Sequence, residues 1–521
     1  FHMKFKRNLL SVALASAAMM VVVPAFAQDS STDAGKEKAK ATDTTNVGKV
    51  KVTGIRRAIE ASIDTKQTNT SIVEAISAED LGKLPDISIA ESIARLPGLS
   101  AQRVAGRAQV ISVRGLSPDF ATTLLNGREM VSTGDNRSVE FDQYPSELVS
   151  GVTVYKTPDA ALVGQGLSGT LDMQTVRPLN FAEPVITLSG RFQRNSLGEA
   201  ADTDPYGNRL SASWIGQSAD RRFGFSIGVS HSDTPIQENQ VGLYEPWKTD
   251  ARPGLADGTW ATDGMKALRR TGYTKRDGIM STLQFRPSNL WTSTLDMFHS
   301  RAEQEDTANQ FEVNLSGWNG NYNPGLLWTG VTTNANDALT GGTANNVYPL
   351  VRGMYNKRED EINAFGWNNE FKWDLYTLGV DASYSKAERQ QSALETYAGR
   401  LGGLDADFSI PLSSGNGNYA LPDLSDPSAV YLWDPQGWGH DGRLEDSWQD
   451  DELQSFRVDL NRVVESSDFL RSYDVGYNHS KRTKDKLAQV YFADLPGRTP
   501  TLLDPSFVLS PTSLGFAGMG N

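Results

Sequence analysis

Beyond residue 184 the chain repeats a two-residue period. Leu210, Ala212 and Trp214 alternate with polar residues up to a turn at 217–222, and Phe223, Phe225, Ile227 and Val229 then alternate with Gly224, Ser226, Gly228 and Ser230. The design recurs. Ile279, Leu283 and Phe285 lead into the turn Arg286-Pro287-Ser288-Asn289, and Trp291, Leu295 and Met297 lead out. Phe365, Trp367, Phe371 and Trp373 precede a turn at 374–376 that Leu378, Val380, Ala382 and Tyr384 follow, and Phe456, Val458 and Leu460 reach a polar turn near Ser466 before Phe469, Tyr473, Val475 and Tyr477. Side chains of a strand point alternately to its two faces, so each stretch predicts a strand with one apolar face. With a first strand at 185–192 there are about nine. Short turns follow the second, fourth, sixth and eighth, and long loops rich in Gly, Asn, Asp and Trp follow the first, third, fifth and seventh. A soluble sandwich has no reason to gather its long loops at one end, whereas an outer-membrane barrel does, with apolar aromatics toward lipid and small polar residues toward the lumen. A large periplasmic or extracellular β-sandwich is the competing reading.

The front of the chain is patterned differently. Residues 56–178 read as a compact mixed α/β region. The capping pairs Ser77 with Asp80 and Ser88 with Glu91 start short helices that Pro85 and Pro97-Gly98 stop. Strand-like pieces at 108–113, 122–125, 149–155 and 170–176 are separated by turns at Gly115, Gly127 and Gly164 to Gly169. Ahead of this region, residues 28–46 hold no apolar side chain larger than alanine and read as a flexible tether. VGKVKVTGI at 47–55 alternates like a short strand on that tether. At 1–27, Lys4, Lys6 and Arg7, an apolar run to Val23 and Ala25-Phe26-Ala27 read as a secretory signal peptide, with Met3 as its natural start.

Composition removes several classes. With 22% charged residues and a mean hydropathy of -0.42 the chain is too polar for a bundle of membrane helices. It has no cysteine, so neither disulfides nor thiolate metal sites hold it together. A net charge of -13 offers no basic stripe for nucleic acid. Five scattered histidines argue against haem or metal capture, and no cofactor or metal is expected. Gly164, Gly166 and Gly169 spell G-x-G-x-x-G, yet a strand-like segment follows where a dinucleotide site needs a helix, so these glycines are expected to serve backbone turns and close packing. The acidic run Asp450-Asp451-Glu452 reads as a solvated junction of loop and strand. No catalytic cluster is present, and no enzyme activity is expected.

The front region resembles the plug domain of TonB-dependent outer-membrane receptors. Val113-Arg114-Gly115, Leu124-Leu125-Asn126-Gly127-Arg128, the strand from Val152 to Pro158 and the turn and strand from Val163 to Met173 occur in the order of that family's plug motifs, over about 130 residues. The resemblance implies a mixed α/β plug inside a transmembrane antiparallel β-barrel of 22 strands, of which residues 184–521 hold about the first nine, making this the N-terminal part of a longer protein. It implies location in the outer membrane and TonB-driven uptake of a scarce, bulky nutrient by a monomer in contact with outer-membrane lipid. The TonB-binding segment would be Val47, Lys49, Val50, Lys51, Val52 and Thr53, unless these begin the plug's first strand. Arg114 would lock plug to barrel, while Lys156-Thr157-Pro158 departs from the family's Arg-Gly-Pro. The loops at 102–107 and 132–138 correspond to plug apices that face substrate, which makes Arg103, Arg107, Asp135, Asn136 and Arg137 candidate contacts. In the long loops, Trp247, Trp260, Trp318, Trp328, Trp433 and Trp438 suit stacking on sugar rings. An oligosaccharide is the expected cargo, a ferric siderophore the second choice, and a passive porin or surface adhesin the rival class.

Overall fold

The computed structural model describes residues 54–519, apart from 78–88, 105–106, 145–148, 165, 201–202, 245, 316–324, 410–417, 422–423, 467–468, 505 and 507. The proposed signal peptide, tether and TonB-binding segment lie outside the described residues. So do Ser88 and Asp80 of the expected capping pairs.

The plug opens with α1 (Gly54–Thr68), which the strand and turn signals did not announce although Ile55, Ile59 and Ile63 recur every four residues. After it come β1 (Val73–Ser77), the short helix α2 (Ile89–Ile93), and a hairpin of β2 (Leu99–Val104) and β3 (Arg107–Val113). Four more strands are β4 (Ala121–Leu125), β5 (Arg128–Glu129), β6 (Val149–Tyr155) and β7 (Gly169–Thr175). The plug sheet has the order β1-β6-β7-β4-β5, parallel only between β4 and β7. Its core closes around Ile89, Ile93, Ile111, Val154, Leu171 and Met173.

The glycine triplet precedes β7 and not a helix, which removes the dinucleotide reading. Gly164 and Gly169 have φ of +58° and +153°, conformations that side chains disfavour. At Gly166 the limit is space, since a Cβ would lie 2.6 Å from the Phe120 carbonyl and the Thr122 amide.

Nine long strands follow in one antiparallel wall. They are β8 (Val185–Arg194), β9 (Tyr206–Gln217), β10 (Phe223–Leu243), β11 (Gly264–Ser288) and β12 (Trp291–Asn314), then β15 (Leu350–Trp373), β16 (Tyr376–Gly399), β20 (Gly442–Val463) and β21 (Ser472–Ala493). Each pairs with the next, as expected for consecutive hairpins, and the wall is open, with β8 and β21 at its edges. Connections at 218–222, 289–290, 374–375 and 464–471 are short, while those on the other side are long. Between β8 and β9 lies α3 (Ser196–Ala200). The other long loops build their own four-stranded sheet from β13 (Leu327–Thr333), β14 (Leu339–Val347), β17 (Leu404–Ser409) and β18 (Asn418–Ala420), which the sequence pattern did not foresee. A small bridge of β19 (Tyr431–Leu432) and β22 (Thr501–Leu502) joins the wall at the end of β16.

The wall's two faces differ as the alternation requires. Phe225, Ile279, Leu283, Met297, Phe365, Trp367 and Phe456 are exposed on the outer face, while Ser226, Met280, Thr282, Phe298 and Ser385 are buried against the plug. At the short-turn end the outer aromatics touch in a row: Phe223 stacks on Phe285 at 4.6 Å, Phe285 meets Trp291 edge-on at 5.6 Å, and Trp291 stacks on Phe371 at 6.0 Å. Such a row marks one membrane interface. Strand register supplies the other border. His231, Asp277, Arg301, Glu361, Glu388, Asp450 and Asp485 are successive cross-strand partners, a charged line that cannot lie in hydrocarbon. From Asp277 to Phe285 is nine residues, close to the roughly 9–11 that a tilted strand needs to cross a bilayer. The remaining residues of each strand carry the wall past the membrane.

Met297→Arg, on the outer face inside this band, is expected to destabilise the folded protein in lipid vesicles by about 2–4 kcal/mol. Denaturant unfolding in those vesicles measures it, and an unchanged midpoint would contradict the assignment of the faces.

Candidate functional site at the seam of plug and wall

The turn Asn126-Gly127, with φ of 55° and 76°, reverses the chain between β4 and β5 and aims Arg128 at the wall. Asn126 secures the turn by accepting the Thr175 amide at 2.9 Å, and Asp172 accepts the Gly127 amide at 2.9 Å. The Arg128 guanidinium enters between two wall carboxylates. Its Nε and Nη2 donate to Asp381 of β16 at 2.9 and 2.8 Å, and its Nη1 donates to Asp296 of β12 at 2.8 Å. Gly366 of β15 pairs with Asp296 and leaves the room, because the guanidinium occupies the place of its missing side chain. Arg177 donates to the second oxygen of Asp296 at 2.6 Å.

A second clamp lies further toward the long loops. Arg389 of β16 binds Glu140 of the plug through Nη2 at 2.7 Å and Asp360 of β15 through Nε at 2.7 Å, and Gln143 donates to Asp360 at 2.7 Å. Burial alone raises the Glu140 carboxyl, but the charges of Arg389 and Arg358 outweigh it and bring the group down to about 2. The neighbouring Ser300 hydroxyl donates to the Gln143 carbonyl at 3.1 Å.

The apical loop 132–138 is tied to the last two described wall strands. Asp451 of β20 accepts the Ser132 amide at 3.0 Å, and Lys484 of β21 donates to the carbonyls of Ser132 and Asn136 at 3.1 and 2.7 Å. Lys486 pairs with Asp135 at 2.7 Å and holds its carboxyl below the usual range, while Arg482 bridges Asp451 and Glu129.

One line of register unites much of this chemistry. Arg191, Arg209, Ser232, Arg276, Ala302, Asp360, Arg389, Gln449 and Lys486 are successive partners from β8 to β21. The line is rich in basic groups and sits beside the outer charged border.

The expected site residues divide sharply. Arg107 is part-buried, 3.4 Å from Asp142. Asp135 and Asn136 are engaged in the latch, and Asn136 also donates to Asp119 at 3.0 Å. Arg137 reaches Thr122 at 3.3 Å, whereas Arg103 is an exposed partner of Glu91 at 2.9 Å. Arg114 is exposed in a turn with φ of 56° and makes no ion pair among the described residues. Among the described residues it is Arg128, within the same run of plug motifs, that bridges plug and wall. Among the tryptophans, Trp328 is buried against Phe408 and Trp247 packs on the same loop core. Trp433 donates to the Gly399 carbonyl, and Trp438 packs edge-on against Tyr397 with Arg352 over its ring. Trp260 is 47% exposed, and Trp318 lies outside the described residues. The run Asp450-Asp451-Glu452 lies within β20 and not at a junction. Alternation sends Asp451 inward, while Asp450 pairs with Lys386 on the other face.

A mixed α/β domain bound to the inner face of a wall whose outer face is apolar and aromatic defines a class: an outer-membrane β-barrel protein with an internal plug. Residues 65–170 match the family model of the TonB-dependent receptor plug domain. The front of the chain therefore carries a TonB-dependent receptor plug domain. Solved structures similar in fold include the siderophore receptor PirA from Acinetobacter baumannii, at 12% identity over 83% of this chain and 79% of that one, with a TM-score of 0.34. A ferric enterobactin receptor (PfeA) mutant from Pseudomonas aeruginosa matches at 11% over 83% and 81%, with a TM-score of 0.34. The outer membrane transporter YddB from Escherichia coli matches at 11% over 81% and 74%, with a TM-score of 0.33. No curated protein matches the sequence.

Two outcomes are expected at the seam. Gly366→Ala should displace the Arg128 guanidinium, and Asp381→Ala should leave it half-paired at a cost of about 3–5 kcal/mol; limited proteolysis of the plug in intact protein measures the loosening, and full resistance in both variants would refute the lock. Because Glu140 titrates lower in the folded protein than its ordinary value of 4.5, its contribution is complete above that value and is lost as pH falls toward about 2. Plug accessibility should therefore rise across that acid window in the parent and be flattened in Glu140→Gln.

Proposed function

We propose that the receptor imports a scarce, bulky nutrient by TonB-driven displacement of its plug, acting as a monomer. The observation that carries the reading is the fastening of the plug. Besides the apolar contact it shares with the wall, it is held there by charged hydrogen bonds at separate points, each of which can open and close singly. Its N-terminal side is fastened more lightly. α1 follows segment 47–53 directly in the chain, and Lys66 of α1 donates to Glu74 of β1 at 2.8 Å. Lys156, just after β6, donates to the same carboxylate at 3.0 Å. β1 is an edge of the plug sheet with β6 as its one neighbour, so a pull arriving through α1 meets a strand bonded on one side only. An alternating segment such as 47–53 suits pairing with the edge of a partner sheet, which supports its assignment to TonB.

For the cargo, the oligosaccharide reading keeps the exposed Trp260 as its support, since the packing of Trp247, Trp328, Trp433 and Trp438 takes up the faces that stacking would use. A specific observation favours the second reading: the basic inner line, with Arg276 underprovided with counter-charge, suits an acidic cargo such as a ferric siderophore.

Deleting residues 47–53 is expected to reduce uptake in energised cells to the level of cells lacking the receptor while leaving cargo binding in detergent intact. A panel of oligosaccharides and ferric siderophores, scored for growth and for equilibrium binding, decides the cargo. Flux that persists after the deletion would point to a passive pore.

A further inference from the structure

One buried group of charges at the seam is left out of balance. Arg389 is neutralised by Glu140 and Asp360, and Arg358 Nε lies 3.3 Å from Asp360. Arg107 and Arg276 instead share the single carboxylate of Asp142, at 3.4 and 3.5 Å, and the charge of Arg209 bears on both. Neither contact is a hydrogen bond. Both oxygens of Asp142, the Nε of Arg107 and the Nε and Nη2 of Arg276 are buried without a hydrogen-bond partner, and the Arg276 side chain is 4% exposed. Thr274, two residues away on the same inner face of β11, also has a buried hydroxyl without a partner.

The topology explains the crowding. Ser232 of β10 pairs with Arg209 on one side and Arg276 on the other, so two guanidinium groups flank one short side chain. Arg107 comes from the start of β3, and Asp142 from the helical turn Phe141–Gln143. Burial pulls the Arg107 guanidinium below its ordinary value, with Asp142 opposing and Arg358 and Arg209 adding to the fall.

We propose that Arg107 and Arg276, with the Thr274 hydroxyl, form a binding site for an oxyanion, either a free phosphate or carboxylate or an acidic group carried by the cargo. An oxyanion supplies both missing elements, negative charge and acceptors for the idle N–H groups, and the planar guanidinium fork fits carboxylate and phosphate oxygens in pairs. Asp142 acts against it. The carboxylate repels the incoming anion, so it limits affinity and favours release. The site stands on this geometry, and only its use for cargo rests on the transport reading.

The test is titration calorimetry of the full-length protein in detergent with inorganic phosphate and, separately, with citrate. Saturable binding of at least one is expected. Arg276→Gln should weaken it by about tenfold or more, and Asp142→Asn should tighten it. Opposite responses cannot come from a general loss of structure, which thermal unfolding of both variants checks. Phosphate binding with this pattern supports a free-anion site, and citrate binding alone with the same pattern supports recognition of an organic acid. Absence of binding by both probes, or weakening in both variants, overturns the proposal. Energised uptake with and without residues 47–53 reports on transport independently, so the two readings can fail separately.

Discussion

The structure depends on neutralising charge in a place that water reaches poorly. The inner face of the wall carries Asp296, Asp360, Asp381 and Asp451 in buried positions, and a carboxylate there is tolerable only with a cation and hydrogen-bond donors against it. The plug provides Arg128 and Arg177 for Asp296 and Asp381, Gln143 for Asp360 and the Ser132 amide for Asp451. The traffic also runs the other way, with Arg389 serving Glu140 and Lys486 serving Asp135. Each domain completes the other's electrostatics, so the plug has one seating in which every pair is made. Apolar contact through Met280, Phe298, Ile362, Ala387 and Leu453 joins the two domains but does not discriminate register as charged pairs do.

Lipid imposes the complementary demand on the outside. Hydrocarbon offers backbone amides no partners, which favours long hairpins with every N–H paired to a neighbour. The outer face then sorts itself into an aromatic row, an apolar band and a charged line by register alone. Because the strands continue beyond that line, the wall raises a vestibule whose long loops pack on each other. The loop sheet and its core around Trp328, Val347 and Phe408 consume side chains that would otherwise be available to a ligand.

Much of this was legible in the chain. All nine wall strands and the alternation of short and long connections follow from period two, and the ordered plug motifs locate the front domain. The helix that Ser88 and Glu91 implied is α2. The misses have physical causes. α1 carries few apolar residues, so its helical spacing was faint beside the alternating segment before it. Arg128 could not be singled out from its motif alone, because its partners lie about 170 and 250 residues away in sequence.

The sequence by itself determined the faces, because side-chain alternation and lipid chemistry are local: each strand already states which residues go out and which go in. Only the tertiary structure decided which inward residues meet. Gly366 and Arg128, Asp142 and Arg276, Lys484 and the carbonyls of loop 132–138 are joined by strand register and by the seating of the plug. Those pairings bring together groups hundreds of residues apart, and no period in the chain encodes them.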